Sequence, residues 1–178
     1  ASFLVMASAG SVYAWSIFVP PLRAEHGFTT AETQLVFGLI IACFATTSMF
    51  AGRIGSRLGI KYTAATGALL FSAGYIVASF SGGNLVFIVL GISVLSGAGM
   101  GFGYITILSN LVKWYPAHRG LATGLAVAGF GCGAILLSQA AQPFIDRGVD
   151  VLTMFRFVGI TYGILYLGCA LLVSPSPF

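Results

Sequence analysis

A bundle of six membrane-spanning helices is the fold class this sequence predicts, on three observations. The composition is 58% hydrophobic and only 7% charged, with a mean hydropathy of +1.00, whereas a soluble domain carries roughly 25% charged residues. Apolar stretches that meet the ~20 residues a helix needs to cross a bilayer recur along the chain. Lys and Arg gather in the turns between those stretches and form no stripe along one face. The net charge of +4 is therefore read as membrane topology and not as a nucleic-acid footprint.

Residues 1–22 hold no charge and end at Pro20-Pro21-Leu22-Arg23, which predicts a first span. The spacing Thr29-Thr-Ala-Glu32 is that of a capping box and predicts the start of a second span over 31–51. The basic, glycine-rich turn Gly52-Arg-Ile-Gly-Ser-Arg57-Leu-Gly-Ile-Lys61 leads into a third span over 62–80, closed by Ser81-Gly-Gly-Asn84. A fourth span over 85–111 runs into the turn Lys113-Trp-Tyr-Pro-Ala-His-Arg119, and a fifth covers 119–141. The segment Gln142-Pro-Phe-Ile-Asp146-Arg-Gly-Val-Asp150 reads as a loop before a sixth span over 153–173. The bundle is expected to occupy residues 1–173, with 174–178 the start of a cytoplasmic linker. A start inside an apolar run without an initiator Met, and an end at Ser174-Pro-Ser-Pro-Phe178, read as a piece of a longer protein.

Charge at the turns orients the spans. Arg53, Arg57, Lys61, Lys113 and Arg119 share one side with no acid, against Arg23, Arg147 and Arg156 on the other. The Lys/Arg bias makes the first group cytoplasmic and puts both ends of the segment in the cytoplasm, as in a multi-pass protein of the inner or plasma membrane. A trace of internal repetition is present: Gly10-Ser-Val-Tyr13 and Gly101-Phe-Gly-Tyr104 share a Gly-x-x-Tyr pattern at similar depth in the first and fourth spans.

The chemistry of enzymes is missing from this pattern. His26, His118 and all four acids fall in loops, so no nucleophile, base and acid meet at membrane depth. Gly97-Ala-Gly-Met-Gly101-Phe-Gly103 is dense in glycine but lies inside an apolar span with no strand before it, which excludes a dinucleotide loop. Cys43, Cys132 and Cys169 lie far apart in apolar segments and make neither a metal motif nor a disulfide framework. No cofactor and no metal is expected. Small residues spaced for close helix approach do stand out at Gly97, Gly101, Gly120, Gly124 and Gly129.

At mid-depth, Tyr13, Tyr104 and Phe130 are the informative side chains. Tyr13 precedes Arg23, and Tyr104 precedes Lys113, by a rise of roughly half the ~30 Å core. A buried tyrosine hydroxyl needs a partner, which a helix carbonyl or a water-accessible cavity could supply equally well. Trp15 and Gln34 are further candidates, with packing or lipid contact the competing reading for Trp15.

These residues also carry a resemblance. The turn Gly52-Arg-Ile-Gly-Ser-Arg57-Leu-Gly59-Ile-Lys61 is similar to the signature of the major facilitator superfamily, with Ser56 where the usual acid stands. Leu121-Ala-Thr-Gly124-Leu-Ala-Val-Ala-Gly129 resembles the monocarboxylate transporter signature, and Tyr13-Ala-Trp15-Ser16, Gln34 and Tyr104 resemble elements of the oxalate–formate antiporters. Gly10 takes the place of the acid in the first monocarboxylate motif, and Phe130 that of a tyrosine. The resemblance implies the amino-terminal six-helix half, built of two inverted three-helix repeats, of a twelve-helix carrier. It implies a non-enzymatic function: secondary transport of a small mono- or dicarboxylate such as lactate, formate or oxalate, by antiport or by symport with protons. Tyr13, Trp15, Gln34, Tyr104 and Phe130 would line the cavity, Gly52, Arg53, Arg57, Gly59 and Lys61 would form the cytoplasmic signature turn, and a cation from the missing carboxy-terminal half would neutralise the anion. Two alternatives stay open at this stage: proton-coupled export of a neutral or cationic solute, and a non-transporting membrane domain that binds a partner helix.

Overall fold

The computed structural model describes residues 1–176; Pro177 and Phe178, the last two positions of the expected linker, lie outside the described residues. Its helices are α1 (Ser2–Gly10), α2 (Val19–His26), α3 (Thr30–Leu58), α4 (Ile60–Ser79), α5 (Leu85–Ile88), α6 (Gly97–Trp114), α7 (Arg119–Asp146) and α8 (Val151–Leu172). A 3₁₀ segment, Ser11–Ile17, continues α1, and a π-helical segment, Val89–Ser96, joins α5 to α6. Grouped by continuity, these make five helices long and apolar enough to cross a membrane, and a sixth span if the bent pair Ser2–Ile17 and Val19–His26 is counted as one.

The first span breaks where the chain predicts a simple end. Pro20 and Pro21 have no N–H to give to the preceding turn, and their rings crowd it, so α2 leaves the 3₁₀ segment at 49°. The expected capping box forms: the Thr29 hydroxyl accepts from the Glu32 N–H (3.2 Å), while the Thr29 N–H donates to the Glu32 carboxylate (2.8 Å). The helix it starts, α3, continues to Leu58, past the expected end at 51, and turns on the single residue Gly59. There φ is +87°, a backbone conformation open to glycine and strained for other residues. Residues 142–146, expected in a loop, extend α7 through Pro143, and the Gln142 amide donates to the Asp146 carboxylate one turn on (2.8 Å).

Serines tie spans together inside the bundle. Ser93 donates to the Val36 carbonyl (2.8 Å), Ser96 to the Phe71 carbonyl (3.0 Å) and Ser72 to the Gly159 carbonyl (2.7 Å). Such bonds join helices where lipid offers no competing donor or acceptor. Loops at one end are clasped as well: Glu25 accepts from the Val151 N–H (3.1 Å), Asp150 accepts from the Thr153 N–H (3.2 Å), and His26 approaches Asp150 at 3.6 Å.

The packing pattern has a hidden symmetry. The first span packs on the fifth, the second on the fourth and the third on the sixth; the third also meets the fourth, the sixth meets the first, and the first meets the fourth. Exchanging first for fourth, second for fifth and third for sixth leaves these six pairings unchanged, while the fourth–fifth contact has no first–second counterpart of like extent. Short turns alternate the direction of successive spans, so each exchange reverses a helix, as in an inverted three-helix repeat.

Two glycines set the crossing points. A Cβ added to Gly10 would fall on the Phe130 carbonyl oxygen, and one added to Gly101 would come within 2.9 Å of the Phe44 carbonyl oxygen. Backbone, unlike a flexible side chain, cannot swing aside. Gly10→Ala is therefore expected to destabilise the protein by about 1–3 kcal/mol, as overpacked sites do. Gly168, which faces open space, is the control: Gly168→Ala should leave thermal unfolding in detergent unchanged or slightly raised, and equal losses at both positions would contradict the crossing-point account.

Candidate functional site

Immediately beside the two crossings, five aromatic rings from four spans meet. Tyr13 lies edge-on to Phe130 at 5.4 Å and 78°, and Tyr104 lies edge-on to Phe44 at 5.4 Å and 77°. The two pairs match in distance and angle because they are related by the same exchange of spans that relates Gly10 to Gly101. Phe44 and Phe130 stack across the centre at 6.1 Å, Tyr104 also packs on Phe130 at 5.0 Å, and Phe37 extends the cluster from Tyr13 at 6.2 Å. Edge-to-face pairs of this kind set positive ring edges against negative ring faces.

Tyr13 sits within the 3₁₀ segment and is 42% exposed, whereas Phe130 is buried at 8%. Among the described residues, neither the Tyr13 nor the Tyr104 hydroxyl has a hydrogen-bond partner. Two other polar rings do pair: Tyr166 donates to the Gly99 carbonyl (3.3 Å) and Trp15 to the Thr33 carbonyl (3.0 Å), whereas the buried Tyr75 hydroxyl has no partner among the described residues. Pairing with a helix carbonyl is taken up by Tyr166 and not by the exposed Tyr13 or the half-buried Tyr104. The cluster lies on a face of the bundle; a cavity of about 570 Å³ bordered by Phe3, Tyr115, His118 and Leu121 is at the basic end instead.

The remaining expected site residues are placed as follows. Trp15 is not brought into the cluster: it is buried at 4%, stacks on Phe155 (6.4 Å, 12°) and leans on Phe18. In a helix of three residues per turn, a step of two residues separates it from Tyr13 by most of a half turn. Gln34 is exposed on α3, one turn before Phe37. Gly97, Gly101 and Gly129 lie at close helix contacts, with Ile40, Phe44 and Phe3 respectively. Gly120 and Gly124 are exposed, and an added Cβ there would meet nothing within 4 Å. Gly52, Arg53, Arg57, Gly59 and Lys61 are all exposed at the basic end.

Phe37 and Phe44 were not singled out by the sequence reading. With Gln34 and Ile41 they recur at helical spacing along one face of α3, a signal that periodicity offers but does not separate from lipid contact. No cation reaches the cluster, since every Lys and Arg lies at a helix end or turn. The side chains that could together hold a metal ion, Glu25, His26 and Asp150, lie with their ligand atoms within 4.8 Å of one another at the opposite end from the basic turns. Both carboxylates there already accept N–H groups at the start of α8.

Comparison with known proteins agrees with this architecture. The sequence profile of the Major Facilitator Superfamily matches residues 1–177. The uncharacterized MFS-type transporter YhjX of Escherichia coli (strain K12) is 34% identical over 126 residues, covering 71% of this chain and 31% of that protein. The oxalate:formate antiporter of Oxalobacter formigenes is 26% identical over 180 residues, covering 97% and 41%, and monocarboxylate transporter 3 of Mus musculus is 32% identical over 148 residues, covering 83% and 30%. The chain thus spans less than half the length of each of these relatives.

Trp15 is buried with its indole N–H on the Thr33 carbonyl. Trp15→Phe removes the bond to Thr33 and is expected to cost about 0.5–1.5 kcal/mol of stability, the usual net worth of one buried hydrogen bond, since the Thr33 carbonyl keeps its helical partner. A drop in thermal unfolding temperature checks this, and an unchanged value would show that the indole nitrogen is not held.

Proposed function

Because the chain belongs to the Major Facilitator Superfamily, a family of transporters and not of enzymes, we propose that it forms one half of a secondary carrier for small organic anions, mono- or dicarboxylates. The observation that carries this reading is the pair of unpartnered hydroxyls, Tyr13 and Tyr104, held at mid-depth by edge-on rings. Two O–H donors with no internal acceptor suit a ligand made of acceptors, and a carboxylate is acceptor-only. The names of the relatives, an oxalate:formate antiporter and a monocarboxylate transporter, point the same way.

In this proposal Tyr13 and Tyr104 donate to the carboxylate, and Phe44 and Phe130 hold those two rings at their crossing. Phe37 and Gln34 line the path along α3 towards the acidic end. Trp15 acts at one remove, fixing the 3₁₀ segment that carries Tyr13 through its bond to Thr33. Desolvating an anion in the bilayer core demands an opposite charge, and this chain offers none at that depth. The neutralising cation comes from the partner half. Symmetric halves around a midplane site fit alternating access by rocking, and the close glycine contacts at Gly97, Gly101 and Gly129 give smooth surfaces for helices to slide. The positive-inside bias places the basic turns, and with them both ends of this segment, in the cytoplasm.

The test uses the full-length protein in liposomes with labelled formate, oxalate and lactate. A hydrogen bond to a charged group contributes ~1.5–3 kcal/mol, so Tyr13→Phe and Tyr104→Phe should each raise KM about tenfold or more for the transported anion. Both variants keep the ring packing. If uptake of every anion is unchanged in both, the cluster is not the site.

A further inference from the structure

Charge is divided unequally between the two ends of the bundle. Arg53, Arg57, Lys61, Lys113 and Arg119 crowd the basic end without an acid, while Glu25, Glu32, Asp146 and Asp150 all lie at the other. At the basic end a groove of about 360 Å³ opens between the α3–α4 turn and the last turns of α6. Gly55, Thr106, Ser109 and Lys113 line it, and among the described residues no carboxylate does.

Three independent features make this groove fit an anion. The 20-residue helix α4 starts beside it at Gly59 with no side-chain cap, which leaves first-turn N–H groups unsatisfied at the positive end of a helix dipole. Thr106 is only 4% exposed, and its hydroxyl has no partner among the described residues. It looks across at Gly55, whose missing Cβ would lie 3.6 Å from that oxygen. Lys113, on the rim, is exposed and forms no ion pair among the described residues. Together these supply backbone donors, a buried hydroxyl and a cation, the donor set that binds phosphate oxygens.

The segment after α8 closes the groove. Asn110 donates to the Ser174 carbonyl (3.0 Å) and accepts from the Ser176 N–H (2.9 Å), and Trp114 donates to the same carbonyl (3.2 Å). Pro175 and Ser176 thereby become a wall.

We propose that this groove binds a phosphate group, carried by an anionic phospholipid headgroup or free in solution. The first-turn N–H groups of α4 and the Thr106 hydroxyl receive its oxygens, and Lys113 neutralises its charge. The wall formed by Ser174–Ser176 links occupancy to the seating of the segment that leaves the bundle. A basic pocket between helix ends at the headgroup level is the expected location for such a ligand. It is separate from the aromatic cluster and does not depend on what that cluster carries.

The experiment has two arms on the full-length protein. In the first, native mass spectrometry counts phosphatidylglycerol retained after release from nanodiscs of mixed phosphatidylglycerol and phosphatidylcholine. In the second, inorganic phosphate is titrated against thermal unfolding in detergent. Lys113→Gln and Thr106→Val are compared with Arg147→Gln at the opposite end. Loss of one near-surface cation should weaken binding about fivefold, so Lys113→Gln is expected to reduce retention or the phosphate shift by that factor, Thr106→Val to reduce it too, and Arg147→Gln to leave it alone. A loss confined to lipid retention identifies the headgroup as the source; a loss confined to the phosphate shift identifies the free ion. Binding in neither arm, or an equal loss in Arg147→Gln, overturns the proposal.

Discussion

Backbone against backbone is the contact on which this structure depends. In lipid the apolar side chains gain little by leaving one greasy surface for another, so helices associate through close packing and interhelical hydrogen bonds. Gly10 against the Phe130 carbonyl and Gly101 against the Phe44 carbonyl are the places where the first and fifth spans, and the second and fourth, come closest. Each crossing lies three residues before a tyrosine and beside the phenylalanine that meets it. The aromatic cluster is thus a consequence of how the helices cross, and its two-fold likeness is inherited from the repeat.

That dependence explains why the cluster can present bare hydroxyls. Tyr166, deep in the bundle, reaches a carbonyl on a facing helix. Tyr13 and Tyr104 instead lie edge-on to phenylalanines, which surround the ring without offering an acceptor. Around Tyr13 the 3₁₀ segment puts Trp15 in the core and Tyr13 at the surface.

Much of the fold was legible because bilayer thickness and the cost of bare backbone leave few options. Hydropathy located the spans, the Thr29–Glu32 pair located the start of α3, and the Gly-x-x-Tyr trace proved to mark symmetric crossings. What escaped was decided by tertiary contact. Phe37 and Phe44 differ from lipid-facing residues only in what sits opposite them. Trp15 and Tyr13 fall on different faces of either an α- or a 3₁₀ helix, but which face meets the core is decided by Phe155 and Phe18. The spacing of Gly120 and Gly124 matches that of packed glycines, and among the described residues nothing lies within 4 Å of a Cβ added there. Asn110 holds Ser174 and Ser176, a contact between positions far apart in sequence. Helices outrun the apolar stretches where α7 passes through Pro143 to Asp146 and α3 runs on to Leu58.

The central claim is that the Tyr13 and Tyr104 hydroxyls face the carried anion. A cryo-electron microscopy map of the full-length protein with bound oxalate addresses it most directly. The account predicts a carboxylate oxygen within about 2.5–3.0 Å of each hydroxyl, the range of O–H···O bonds. Oxalate bound away from both tyrosines, or hydroxyls turned to helix carbonyls in its presence, would contradict it.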